Sequence, residues 1–458
     1  MTLVLDAVER WAGERGSAPA LITAAGAVPY AELAKLARRR AERLRRGGLG
    51  PGSRLAIAAT DPAETLVAAL GAQTIGATAM LLDPAAPPRE AARLVARFGG
   101  EAVLREGRVA AVEAPRRPDP ALLGPEPGLA LATSGVGGPP KVAEREWGAV
   151  CAGAGALARA TGLGPGDTLL CTAPLHHAYG FVAGLVSCLL NGAAYLAPPT
   201  PTSPGALAEL CEWRRPAVLF SVPALYRWYL DGPALAHPPR LFVSAGERLP
   251  RHRIEGWRSR YGRPICNHYG STELGMLTFE PEGVAGSAGL PLAGTRLEIA
   301  GPGPGEVIAE ANGRPALLLD CGAGGRSDRR APAALPTGDL GELGDDGRLY
   351  LRGRAGETID LGGRKVVPAE VEAAIRRYRP VAECAVVGVP DAEGVPRLCA
   401  FVEAGCQFDA GELRRHLRQE LTPHKVPSLV RRLDRLPRTG AGKVHRARLA
   451  ESVAAAQR

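Results

Sequence analysis

Residues 131–142 read "LATSGVGGPPKV". A short apolar run opens into Thr, Ser and Gly and closes on Pro-Pro-Lys. Such a stretch fits a strand that ends in a phosphate-holding loop, and it fits a flexible surface loop as well. A Walker loop would need its lysine followed by a hydroxyl residue. Val142 stands there instead, and Pro140 precedes Lys141 and removes a backbone N–H from any phosphate cradle. The Walker reading fails at these two positions, and the rest of the chain has to decide between the other two.

On the N-terminal side, residues 1–130 alternate helical patterns with apolar runs such as "RLAIAAT" (54–60) and "ATAMLLD" (77–83). On the C-terminal side the alternation continues to about residue 280 through "DTLLCTAP" (167–174), "AVLFSVP" (217–223) and "RLFVSAGE" (240–247). Repeated βα units predict a largely parallel sheet. Residues 290–352 change texture to short apolar runs broken by Gly and Asp, which predicts antiparallel strands and a small barrel. A last unit of about 100 residues, a small α+β domain by length, carries a helix at "VPAEVEAAIRRY" (367–378) with Pro368 in its first turn. Strands follow at "CAVVGVP" (384–390) and "RLCAFVE" (397–403), then a helix at 409–421 capped by Asp409.

The chain has 458 residues, 46% of them hydrophobic and 22% charged, which suits two or more packed domains and not a disordered chain. Its net charge of +9 is scattered, as in "ARRRAERLRR" (37–46) and "RRLDRLPR" (431–438). No basic stripe studded with aromatics accompanies it, so nucleic acid is not the expected partner. Nine widely spaced cysteines lack any Cys-x-x-Cys, which predicts a reduced, cytoplasmic protein without a zinc site. Asp6 and Glu9 precede any apolar run, so a secretory leader is not expected. The charge-free stretches in 65–82 and 178–209 hold Gly, Pro, Thr or Ser and read as buried helix followed by buried strand, not as membrane spans.

Five more stretches carry chemistry-bearing residues: "PLHHAYGF" (174–181), "NHYGSTELG" (267–275), "LPTGDLGEL" (335–343), "GRAGETIDLGGRKVVPAEVE" (353–372) and "LPRTGAGKVHR" (436–446). Singly, each reads as packing, a turn or a solvated loop. In this order, together with the opening stretch, they resemble the adenylate-forming superfamily of acyl-CoA synthetases, non-ribosomal peptide adenylation domains and luciferases. The resemblance runs from about residue 25 to 450. It implies an α/β chain: an N-terminal adenylation domain (1–352) of parallel βα sheets with a small β-barrel, a hinge (353–356) and a mobile C-terminal α+β domain (357–458).

The resemblance also implies site roles. Thr133, Ser134, Gly135, Gly138, Pro140 and Lys141 match the loop that holds the β- and γ-phosphates of ATP. Val136 and Gly137 replace two threonines of that loop and so remove two hydroxyl donors. Glu273 matches the Mg²⁺ ligand, a hard oxygen donor for a hard ion. Thr272 matches the donor to the α-phosphate. Tyr269 would stack on adenine, with Ala245, Gly246 and Glu247 as the opposite wall and Asn267 at the amino edge. His268, Gly270 and Ser271 complete the ATP segment. Asp339 would accept both ribose hydroxyls, assisted by Arg354. Lys443 would bridge the acid's carboxylate and the α-phosphate. His177 matches the histidine beside the reacting carboxylate in acyl- and aryl-CoA synthetases. Tyr179, Phe181, Val182, Ala245, Gly270 and Leu274 would line an apolar acid pocket. Residues 174–186 contain no acid, which argues against an α-amino acid, because a buried ammonium would lack a partner. Gly362 and Gly363 would border a pantetheine tunnel, and Gly356 occupies the hinge position.

The expected reaction uses ATP and Mg²⁺ to convert an aryl or short acyl acid into an acyl-adenylate, which then passes to CoA. Transfer to the phosphopantetheine of an acyl or peptidyl carrier protein, or to another nucleophile, shares the same adenylation residues. A degenerate homologue that only binds nucleotide is the reading from another class. The lost threonines favour it, and retention of Glu273, Asp339, Arg354 and Lys443 opposes it.

Overall fold

The structure, a computed structural model, describes residues 3–113, 118–124, 126–133, 141–247, 249, 251–301, 303–313, 315–319, 321–322, 325–326, 328–357, 359–361, 365–390, 396–439 and 443–455. The chain is mixed α/β and packs as two compact units. One comprises residues 1–297, 309–335 and 345–349, and the other 298–308, 336–344 and 350–458.

The first unit holds two sheets. In one, the strands Ile265–Ser271, Leu241–Ser244, Val218–Ser221, Thr168–Cys171, Ala194–Leu196 and Pro19–Thr23 lie side by side and parallel. Antiparallel strands extend it: Gly275–Glu280 and then Ser287–Pro291 on one side, Gly26–Pro29 on the other. The interior strands are buried on both faces and read as continuous apolar runs such as "VLFS", as a helix-covered parallel sheet requires. In the second sheet Ala102–Arg105, Arg54–Ile57, Thr78–Leu81 and Gly128–Thr133 are parallel, and Lys141–Glu146 returns antiparallel to Gly128–Thr133.

The stretch at 62–82 folds as expected. Asp61 accepts from the Ala63 N–H at 3.0 Å and caps the helix Pro62–Thr74, and the strand Thr78–Leu81 follows. Residues 178–209 differ in detail. Tyr179–Val186 is a π-helix that runs into the α-helix Ser187–Leu190 before the strand Ala194–Leu196. The wider coil is a common device at ligand sites. No described helix is long and apolar enough to cross a membrane.

In the second unit the strands Arg296–Ile299, Gly305–Glu310, Ala334–Leu343 and Leu349–Arg354 pair in a row, and no ring closure into a barrel occurs among the described residues. Further on, Val381–Pro390 pairs antiparallel with Pro396–Ala404, which lies parallel to Leu429–Leu433. Side chains alternate across this small sheet. Val386, Ala400 and Val402 pack on Val371, Leu413 and Leu417 on one face, while Val387, Cys399 and Phe401 pack on Leu449 and Val453 on the other. Asp409 caps the helix Ala410–Glu420, accepting from the Glu412 N–H at 2.7 Å. The helix starting at Pro368 ends at Ile375, not at Tyr378. The N–H groups of Arg377 and Tyr378 bond three residues back, to Ala374 and Ile375, which tightens its last turn.

Candidate functional site

Ligands of open parallel sheets bind beyond the carboxyl ends of the strands. Three of the sequence-predicted groups stand there, on three of four successive strands of the sheet. His177 follows Thr168–Cys171, Ala245–Glu247 follow Leu241–Ser244, and Thr272 and Glu273 form the turn after Ile265–Ser271. The registers Phe220 with Cys171, Ser221 with Ser244, and Ser244 with Asn267 bring these ends level.

The strand Ile265–Ser271 sorts its side chains by parity. Asn267 and Tyr269 share one half-buried face, while His268 points the other way and is 5% exposed. The Asn267 amide donates to the Ser287 carbonyl at 2.8 Å. His268 is held at both nitrogens inside the protein. Nδ1 lies 2.8 Å from the Thr278 carbonyl and so carries the proton, and Nε2 lies 3.0 Å from the Met276 Sδ. Burial lowers its pKa to about 4, against the pull of the Thr278 bond. His268 is therefore a neutral core residue behind the strand and does not share the face of Asn267 and Tyr269. A bulge falls between Tyr269 and Gly270, and a Cβ at Gly270 would come within 2.2 Å of the Gly275 carbonyl oxygen. Ser271 Oγ accepts from the Leu274 N–H at 3.1 Å and closes the turn.

The expected acid-pocket residues divide. Tyr179 is clamped: its ring stacks on Phe220 at 5.5 Å and on His268 at 6.0 Å, and its hydroxyl donates to the Val243 carbonyl at 2.9 Å. Burial raises its phenol pKa well above the ordinary value. Phe181 packs into the core against Trp147. Val182 lines a cavity together with Ala178, Thr272, Gly275 and Met276. Leu274 and Glu273 border a second cavity with Glu310 and Asn312. Ala245 is buried, whereas Gly246, Glu247 and Gly270 are exposed. The His177 ring lies 4.4 Å from that of His176, which approaches Asp83 at 3.9 Å. Burial lowers the His176 pKa, opposed by Asp83.

The opening stretch is the connection of a hairpin. Thr133 and Lys141 face each other across the paired strands, and residues 134–140, with Ser134, Gly135 and Gly138, lie outside the described residues. Gly362 and Gly363 lie outside them as well.

Four further expected residues belong to the second unit. Arg354 Nε donates to Asp339 Oδ1 at 2.8 Å, so the two proposed ribose groups meet. The Lys443 carbonyl accepts from the Thr439 N–H at 2.7 Å, and Arg438 bridges Val444, which fixes the backbone on either side of the loop. Three residues on, Arg446 Nη1 donates to the buried Glu372 carboxylate at 2.6 Å, and Arg446 also meets Glu357 at 3.4 Å. Burial pushes the Glu372 pKa up, but the two arginines, Arg446 foremost, and the Val386 N–H outweigh it and hold the carboxyl below its ordinary value. Gly356 lies in the exposed 3₁₀ turn Ala355–Glu357. Its φ is outside the left-handed region and an added Cβ would meet nothing.

Sequence reasoning passed over Arg145. It lines both cavities, next to Thr272 in one and Glu273 in the other. The available signal was the charge run "ERE" (144–146), set between Lys141 and Trp147 in a strand with both faces covered.

The donors suit Mg²⁺ carried in with a phosphate. Glu273 is a half-buried carboxylate on a turn, and no cluster of three His, Cys, Asp or Glu capable of caging a metal occurs among the described residues. Mg²⁺ commonly takes one or two carboxylates, substrate phosphates and waters.

The AMP-binding enzyme family model matches residues 8–126 and 126–314, and the AMP-binding enzyme C-terminal domain model matches 370–443. The isonitrile lipopeptide synthase of Streptomyces coeruleorubidus is 32% identical over 98% of this chain, which spans only 33% of that protein. The 3-hydroxybenzoate–CoA ligase of Aromatoleum sp. is 26% identical over 94% of this chain and 93% of its own length. Among solved structures, a benzoate CoA ligase from Burkholderia xenovorans superposes with a TM-score of 0.84 at 25% identity, over 98% of this chain and all of that one. The strand-end cluster, the hairpin at Thr133 and Lys141 and these matches lead to one statement: this chain belongs to the AMP-binding enzyme family.

Proposed function

We propose that this protein is an AMP-forming acid–thiol ligase that activates an aryl or short acyl carboxylic acid with ATP and transfers the acyl group to CoA. The observation that carries the reading is the placement of His177, Ala245–Glu247 and Tyr269–Glu273 at the carboxyl ends of three strands of one parallel sheet, with Thr272 on a cavity whose other walls are mostly apolar. CoA is preferred to a carrier protein as acceptor because 3-hydroxybenzoate–CoA ligase, which matches over 94% of this chain and 93% of its own length, is named for CoA.

In the first half-reaction a carboxylate oxygen attacks the α-phosphorus. The bond from that phosphorus to the bridging oxygen of the β-phosphate breaks, and pyrophosphate leaves. Two anions must meet, so the residues' task is to place them and to neutralise charge. Thr133 and Lys141, at the mouth of the hairpin, would hold the departing phosphates. Thr272 would donate to an α-phosphate oxygen, and His177 would orient the acid. Tyr269 and Asn267 would seat the adenine on their common face, and the Asp339–Arg354 pair the ribose. Glu273 would hold Mg²⁺, which supplies charge neutralisation on the phosphates. Lys443 would bridge carboxylate and α-phosphate. In the second half-reaction a thiolate attacks the acyl carbon and AMP leaves. The domains 1–352 and 357–458, turning about 353–356, would exchange Lys443 for the Gly362–Gly363 segment between the two steps.

The test is a pyrophosphate-release screen over a library of acids, each with and without CoA. Release with aryl or short acyl acids, followed by CoA-dependent thioester, is expected. Exchange confined to proteinogenic amino acids would overturn the acid assignment. A chain that binds ATP but activates no acid would be the nucleotide-binding homologue instead.

A further inference from the structure

The strand Lys141–Glu146 carries two buried charges side by side with opposite fates. Glu144 is neutralised by Arg54, whose guanidinium also donates to the Phe98 carbonyl and stacks on the Phe98 ring. Arg145 is 7% exposed and makes one bond, to the Ala149 carbonyl at 3.4 Å, with no carboxylate within pairing distance among the described residues. Arg348 shows how this protein treats an arginine that serves the fold alone: it meets Glu280, Glu282 and Asp346. A buried guanidinium with four of its five donors unused is costly unless an anion arrives to take them.

Space is kept for that group. Gly275 has a φ of +85°, and a Cβ there would lie 1.9 Å from Arg145 Nη1. Arg145 lines a small cavity together with Thr272 and Val182. Arg145 shares a strand face with Lys141 but lies four residues on, roughly 13 Å along the strand. It is therefore set apart from the phosphate end of the hairpin.

We infer that Arg145 is a specificity residue that receives a second anionic group on the acid, beyond the reacting carboxylate, so that the substrate class is a short dianionic acid: a dicarboxylate or a sulfo-carboxylate. This rests on the ligase reading above and narrows it. The planar fork of arginine matches either group with two parallel hydrogen bonds. The same cation disfavours an α-ammonium in the pocket.

The experiment compares matched acids in pyrophosphate release: butanoic with succinic, hexanoic with adipic, benzoic with isophthalic and with 3-sulfobenzoic. The wild-type protein, Arg145→Met and Arg145→Lys are run in parallel. A thermal-shift series with each acid in the absence of ATP reads binding apart from turnover. The wild type is expected to prefer a dianionic member by a factor on the order of 10² or more, the scale at which a site rejects a substrate that leaves its buried polar group unpaired. Arg145→Met should lose that preference and Arg145→Lys should keep part of it, and the dianion should raise the Tm of the wild type most, of Arg145→Lys less and of Arg145→Met not at all. Without ligand, Arg145→Met should be at least as stable as the wild type, whereas loss of a merely structural arginine would lower its Tm. Arg145-dependent thermal shifts without pyrophosphate from any acid would sustain this site and defeat the ligase reading. Turnover of monoacids at equal rates in wild type and Arg145→Met would do the reverse. Absence of any Arg145-dependent preference or shift overturns the proposal.

Discussion

The neutral, buried His268 makes a quantitative prediction about acid. Its folded pKa is about 4 against an ordinary 6.5, because desolvation disfavours the charged ring. The unfolded chain therefore takes up this proton first as pH falls. The contribution is constant above about 6.5, declines through the window from 6.5 to 4, and is fully lost below the folded value. A gap of two to three pH units corresponds to about 3 kcal/mol at most. The slope in the window is one proton, about 1.4 kcal/mol per pH unit. The perturbation is His268→Gln, which keeps polar atoms near Thr278 without a titrating ring. Urea unfolding of both proteins is followed every half unit from pH 4.5 to 8. The variant starts less stable at pH 8 because it loses the stack on Tyr179 and the fitted contact with Met276. Its curve should lack the His268 limb, so the difference between the proteins should shrink steadily below pH 6.5. A ring NMR titration checks the cause: the imidazole resonance absent from the variant should stay in its neutral position down to about pH 5. Parallel stability curves, or a missing resonance that titrates near 6.5, would refute the assignment of a buried neutral His268.

Three further outcomes are expected. Lys443→Ala should slow adenylation by a factor on the order of 10² or more while sparing thioester formation from supplied acyl-adenylate; equal losses in both steps, measured by rapid quench, would contradict the exchange of Lys443 for the Gly362–Gly363 segment. Glu144→Ala should cost roughly 3–5 kcal/mol in urea unfolding, since it strands the buried Arg54, and Arg54→Met combined with Glu144→Leu should recover much of that; a loss below about 1 kcal/mol for the single variant would show that the pair is already hydrated. Val136→Thr should lower the KM for ATP by about tenfold if it restores a hydroxyl on a charged phosphate, with acid preference unchanged; a shifted acid preference would place the 134–140 loop at the wrong end of the site.

The parallel strands were legible because each is a short apolar run that must be buried on both faces, as "VLFS" and "LFVS" are. Two helix starts were legible locally: Asp409 as a cap and Pro368 in a first turn each act within three residues of themselves. The π-helical coil at Tyr179–Val186 was not, because its hydrophobic pattern suits an α-helix and a π turn alike. Burial of Phe181 against Trp147, and the two-sided clamp on His268, depend on partners brought in from other elements. Motif order could not separate His268 from Asn267 and Tyr269, although strand parity could have done so. Arg145 escaped notice for the opposite reason. A charged residue in a strand is ordinarily taken for a surface one, and only the tertiary structure reveals that Glu144 pairs with Arg54 whereas Arg145 meets no carboxylate among the described residues.

The turn at Ala355–Glu357 has a practical consequence. Gly356 is exposed, lies outside the left-handed region and has open space where a side chain would go. Of the eight cysteines whose burial is described, seven are buried and Cys406 is exposed. A Gly356→Cys protein carrying Cys406→Ser would present one exposed thiol among the cysteines whose burial is described, with Cys321 to be checked by counting labels, at the proposed hinge. A spin label or fluorophore there would turn the proposed rotation into a spectroscopic signal, read in real time as ATP, acid and CoA are added in turn.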